Sequence, residues 1–263
     1  MGNRTYILRT SKENSIELFE ADNTLPLFWQ CLLDINAIES IEPEIIRVFA
    51  MGDEDVQTYL EKNPSGVTVK LPKQVFLNNA KDGRPFIERY LENDVIVFDD
   101  FMRYLDKKYG EEDILELSIF EMGNFEGMAK YINNLKKNLT AIKQENYIPK
   151  LFPMTGTIFE LTGYDRYLGN GFAGYSERYA DACRKEEDER KKRQSLLDEQ
   201  ERKRSIKNKI ESVFIIFLGM VFLLASVFFI TKEGLSVLLV CGILFGVVSA
   251  VYGVIKLGNN KSK

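Results

Sequence analysis

The last fifty residues constrain this chain most. Residues 212–230 and 235–255 are apolar runs of 19 and 21 residues, parted only by Thr231, Lys232, Glu233 and Gly234. At 1.5 Å per residue each run would reach about 30 Å, the thickness of a bilayer's hydrocarbon core. Neither run holds a charge, and one near the centre would cost roughly 2.5–3.5 kcal/mol on insertion. The expectation is a two-helix transmembrane hairpin over 211–256, with a short basic tail at 257–263. A buried helix pair in a water-facing fold would carry a polar stripe, which these runs lack.

The flanks give the expected orientation. Arg202, Lys203, Arg204, Lys207 and Lys209 precede the runs and Lys256, Lys261 and Lys263 follow them. The excess of basic residues on that side places both termini in the cytoplasm of a multi-pass protein of the plasma (inner) membrane. The five basic residues before the first run would then contact anionic headgroups of the lipid bilayer. Gly242, Gly246 and Ala250 recur every fourth residue along the second run, a small-residue stripe that permits close backbone approach. It would pack on the first helix of the same hairpin or join several copies into a homo-oligomer.

Charge separates the rest of the chain into two parts. Residues 184–209 carry net +4, residues 210–263 net +2 and residues 1–183 net −10. An acidic domain is a poor nucleic-acid binder, because phosphate contacts need clustered Lys and Arg. A basic protein partner fits better. The chain has no histidine, which removes Ser-His-Asp and Cys-His catalysis and every His-ligated metal site. Cys31, Cys183 and Cys241 are too far apart in sequence to suggest a metal site or a disulfide framework, so a reducing compartment is expected. No metal and no cofactor is expected.

Within residues 1–174 the patterning predicts an acidic α+β cytosolic domain. Residues 4–9 and 16–20 read as a β-hairpin. A helix with Pro26 in its first turn carries Phe28, Trp29, Leu32, Leu33 and Ile35, and Trp29 reads as core. Further helices are expected after Pro43, around Val56, Tyr59 and Leu60, and from Pro85. Val67, Val69 and Leu71 alternate as a half-buried strand. Val95, Ile96, Val97 and Phe98 before Asp99 and Asp100 resemble the strand and acidic pair of nucleotide hydrolases, but no G-x-x-x-x-G-K-[ST] loop exists to hold phosphates. The favoured alternative starts an amphipathic helix at the two aspartates. Residues 114–120 fit either strand or helix. Met128, Tyr131, Ile132, Leu135, Leu139 and Ile142 mark one helix face, and Thr157, Phe159 and Leu161 alternate as a late strand.

Gly169, Gly171 and Gly174 satisfy G-x-G-x-x-G and are the candidate nucleotide-binding residues. The motif lacks the second strand and acidic residue of a dinucleotide site, so a turn between domain and stalk is favoured. Residues 175–210 hold no Pro or Gly and contain acidic-to-basic pairs at i, i+4, including Glu187 with Lys191 and Glu199 with Lys203. Such pairs are worth roughly 0.2–0.5 kcal/mol each. A solvated helical stalk is expected in preference to a coiled coil, whose seam would need more than Leu196, Leu197 and Ile206.

Asn3-Arg4-Thr5-Tyr6-Ile7-Leu8, with Leu18-Phe19-Glu20-Ala21 and Leu25-Pro26-Leu27-Phe28-Trp29, resembles the start of uncharacterised bacterial proteins that begin N-R-x-Y-L. Over about thirty residues the resemblance implies a bacterial accessory factor of toxin immunity or phage defence, and it assigns no functional residue. The expected function is a membrane-anchored cytosolic protein-binding module, an immunity protein against a membrane-active toxin. The alternative is a defence effector whose hairpins oligomerise and permeabilise the bilayer. An enzyme ranks third, with Glu20, Asp22, Asp99 and Asp100 as acid and base.

Overall fold

The computed structural model describes residues 3–12, 14–63, 66–148, 157–166, 171–233, 247–248 and 251–252, with backbone alone at 222–223 and 225–233. The chain divides into two compact units, Met1–Lys185 and Glu186–Lys263.

The first unit opens with the predicted hairpin, β1 (Arg4–Thr10) and β2 (Ser15–Asp22). Its register shifts between Ile7 and Leu8, a bulge that puts an extra residue in β2. A single turn, α1 (Leu27–Gln30), follows Pro26 and seats Trp29. Next comes α2 (Ile35–Phe49), whose Asp34 N-cap accepts from the Ala37 amide at 2.8 Å. In α3 (Asp53–Lys62) three acidic residues fill the first turn, where the helix dipole favours them. The chain continues through β3 (Thr68–Pro72), α4 (Lys73–Tyr90), α5 (Val95–Lys108) and β4 (Ile114–Ser118). It then forms α6 (Gly123–Glu126), α7 (Met128–Lys143), α8 (Ile158–Thr162), the two-residue β5 (Tyr164–Asp165) and the long α9 (Glu177–Glu233).

The strands form one sheet in the order β3-β4-β1-β2-β5, with every neighbour antiparallel. Period-two alternation sends Val69, Leu71, Leu115, Leu117, Ile7 and Phe19 to one face, all buried. Phe19 is the hub of that face, with ring centroids 5.1 Å from Phe101, 5.7 Å from Tyr104, 5.8 Å from Phe172 and 6.4 Å from Trp29. Edge-to-face geometry of this kind adds roughly 0.5–1.5 kcal/mol per pair beyond the area buried. Trp29 is fully buried, and its indole N–H donates to the Thr162 carbonyl at 2.8 Å.

Several elements differ from the sequence expectation. Pro43 and Pro85 lie inside α2 and α4, which begin eight and twelve residues earlier, at Ile35 and Lys73. Each proline leaves one carbonyl four residues back without its helical donor. Those carbonyls belong to Glu39 and Lys81, both exposed residues. Residues 95–100 are helical throughout, within α5. The alternating Thr157, Phe159 and Leu161 belong to the entry and body of α8, where the Thr162 hydroxyl donates back to the Ile158 carbonyl.

The largest correction concerns the membrane. No helix of the described residues is long and apolar enough to cross a membrane. The run at 212–230 is part of α9, one continuous helix that begins with charged residues at Glu177. The fold class with a transmembrane hairpin and the inner-membrane multi-pass location are overturned by that finding; Arg202, Lys203, Arg204, Lys207 and Lys209 were expected at lipid headgroups on the strength of that hairpin. Those five residues are exposed on α9, and Lys203 pairs with Glu199 at 2.7 Å. Most of 235–255, including Gly242, Gly246 and Ala250, lies outside the described residues.

Candidate functional site

The sheet's second face is polar and carries a connected set of charged side chains. Register defines its rows. Thr68, Ser118, Tyr6, Glu20 and Tyr164 are successive cross-strand partners across all five strands. Lys70, Glu116, Leu8 and Glu17 form the next row, and Arg4 faces Asp22 beyond the first.

Two carboxylates on this face are buried, Glu20 at 6% and Glu116 at 2% exposure. Burying a charge requires pairing, and both are paired. Glu20 is held from two sides, by Arg4 Nη1 at 2.5 Å and Arg166 Nε at 3.1 Å. Glu116 accepts from the Thr68 hydroxyl at 3.1 Å and lies 3.5 Å from Lys70 Nζ. The network extends outward, with Arg4 also 3.5 Å from Asp22 and Arg166 3.1 Å from Glu17. Burial pushes the Tyr6 phenol above its ordinary range, against the pull of the Arg4 guanidinium that donates to its oxygen, so Tyr6 remains neutral. Tyr164 stacks on Phe159 with centroids 4.6 Å apart and planes 9° apart.

The arrangement presents guanidinium edges and tyrosine rings in fixed positions. Arg4 and Arg166 remain 48% and 54% exposed although each is braced on Glu20. The Arg4 backbone is fixed as well, its amide donating to Glu121 Oε2 at 2.8 Å.

The four carboxylates weighed as acid and base fall in two places. Glu20 and Asp22 share this face, whereas Asp99 and Asp100 lie on α5. Arg84 holds Asp99 with two bonds of 2.8 and 2.9 Å, and Arg103 pairs with Asp100. Among the described residues no group of three or more Cys, Asp or Glu is placed to hold a metal ion. Gly171 and Gly174 bracket a single 3₁₀ turn closed by the Gly174 amide on the Gly171 carbonyl, which seats Phe172 in the core. Gly169 lies outside the described residues.

Sequence reasoning missed Tyr6, Glu17, Glu116, Lys70, Tyr164 and Arg166 as members of one surface. The alternation of Arg4 and Tyr6 with Thr5 and Ile7 was a usable signal for β1. A two-residue strand carrying Tyr164 leaves no periodicity to read.

No protein-family model, no curated protein and no solved structure matches this chain.

Proposed function

We propose that the unit of residues 1–185 is a recognition module for another protein and that the polar face of its sheet is the contact surface. One observation carries this reading: Glu20, nearly buried, locks the exposed Arg4 and Arg166 in place between Tyr6 and Tyr164. Tyr and Arg are the residues most enriched at the energetic centres of interfaces. Holding them rigid before contact lowers the ordering cost of association.

The charge of −10 on residues 1–183 favours a basic partner through steering. Neutralisation of a basic toxin, as in bacterial immunity, is the version to test first. The effector alternative required spanning helices and is not carried further.

The test compares capture by the full chain with capture by Arg4→Ala/Arg166→Ala, using Arg84→Ala, away from the face, as control. The reading expects a protein retained by wild type and by Arg84→Ala and lost with the double variant, and expects co-expression to protect cells from that protein's toxicity in the same pattern. Equal capture by all three chains overturns the polar face as the contact surface.

A further inference from the structure

We infer that Tyr179 is the positioning residue that fixes β5, and with it Tyr164 and Arg166, in the recognition surface. The inference rests on the reading above only for what the surface is used for.

With two register pairs, Phe19 with Asp165 and Glu20 with Tyr164, β5 is the shortest strand of the sheet. Strands this short have little hold of their own. Tyr179, in the first turn of α9, supplies the missing hold on the side away from β2. The Asp165 amide donates to the Tyr179 hydroxyl at 2.7 Å, and that hydroxyl donates to the Gly163 carbonyl at 3.3 Å. One phenol therefore clamps the backbone on both sides of Tyr164. The clamp is rigid because the ring is 2% exposed and packed 4.7 Å from Phe172 and 5.5 Å from Phe159.

The next residue along is Arg166, whose amide donates to the Leu18 carbonyl at 2.9 Å and whose side chain reaches Glu20 and Glu17. The far end of the segment is fixed too. Gly163 has φ +73° and sits so close to Trp29 that a Cβ would fall 2.5 Å from the indole. The Asp165 carboxylate is also held, accepting from the Phe172 amide at 2.5 Å, but the Tyr179 hydroxyl alone bonds the backbone on both sides of Tyr164, and the side chains that loss of this contact would displace are those of the polar face.

The experiment is amide hydrogen exchange on the full-length chain, wild type against Tyr179→Phe, together with the Arg166 Nε–H signal by NMR. Tyr179→Phe keeps the ring packing and removes both backbone bonds, together with the hydroxyl's contact with the Cys183 thiol. The expected result is exchange about tenfold faster or more at Asp165 and Arg166, the effect of one to two lost hydrogen bonds, with amides of α7 unchanged. The Arg166 Nε–H should lose protection while the pairing of Arg4 with Glu20 persists. A purely structural role would speed exchange throughout the unit and leave no contrast between the two arginines. Unchanged exchange at Asp165 and Arg166, or acceleration spread evenly to α7, overturns the inference. Should the variant not fold, the wild-type Asp165 amide decides: protection matching that of β2 supports the clamp, and exchange at the rate of an unstructured chain overturns it. None of these measurements needs the partner, so they stand apart from the fate of the recognition reading.

Discussion

The sheet unit and the charged stretch of α9 are stabilised by opposite means. In residues 1–185, Phe19, Phe28, Trp29 and Ile7 have no exposed surface, and stability comes from contacts between residues far apart in sequence. From residue 184 to residue 204 every side chain is exposed, and the interactions present join neighbours one turn apart. Glu187 meets Lys191 at 2.7 Å, Glu189 meets Arg193 at 3.4 Å and Glu199 meets Lys203 at 2.7 Å. A cooperative core fails as a whole when one member is removed, whereas a helix held by local pairs loses them one at a time.

The most severe break of this contrast is Trp29→Ala. It empties a site at the centre of the aromatic cluster and leaves the Thr162 carbonyl without its donor. A loss of about 3–5 kcal/mol is expected, read by denaturant unfolding followed by circular dichroism. The unit should unfold in one transition while helical signal from the exposed stretch of α9 survives it. Loss of both signals at one midpoint would show that the two regions are not independent. Next in size is Asp34→Ala, which removes the N-cap bond of α2 and should cost about 1 kcal/mol. Because α2 packs through Ile38, Ile45 and Val48 into the core, that loss should appear in the same global transition. Glu20→Gln follows, with a cost of about 0.5–1 kcal/mol. The two guanidiniums it releases are about half exposed and regain water. Its effect on recognition should exceed its effect on stability.

The sequence made legible whatever was local and periodic. The hairpin of β1 and β2, the strand around Val69, the apolar face of α7 and the i, i+4 pairs of α9 all follow from spacing alone. Tertiary context decided the remainder. Alternation at Thr157, Phe159 and Leu161 resembles a strand, but the segment is helical where the Thr162 carbonyl meets the Trp29 indole, a partner 133 residues away. Pro43 and Pro85 looked like helix starts because proline suits a first turn, whereas both lie inside longer helices, and the carbonyls they orphan belong to the exposed residues Glu39 and Lys81. The polar face was hidden for a similar reason, since Glu20 and Arg166 are neighbours only through the pairing of β2 with β5. The membrane expectation failed on a different point. Run length and charge count say how far an apolar segment could reach, whereas no helix of the described residues is long and apolar enough to cross a membrane.

The smallest expected effect sharpens the contrast from the other side, through pH. The hydrogen bond from Lys191, followed by its charge, lowers the Glu187 carboxyl below its ordinary value, and the same bond, followed by the charge of Glu187, raises Lys191 above its own. A depressed carboxyl pKa contributes helix stability that is fully present above the unfolded value of about 4.3 and is lost as pH falls through the lower folded value. The raised Lys191 contributes stability that is complete below about 10.4 and is lost as pH rises through its folded value. The pair should therefore show a plateau between those limits and decline on both sides. Carbon-13 carboxyl shifts of Glu187 in the full-length chain, followed from pH 7 to pH 2, should titrate below the value of free glutamate and move toward it in Glu187-containing chains carrying Lys191→Ala. Added salt should shrink the difference, since both groups are open to solvent. A Glu187 titration indifferent to both Lys191→Ala and salt would mean that the exposed stretch of α9 is not held by its pairs, and would leave helix-forming composition alone to account for it.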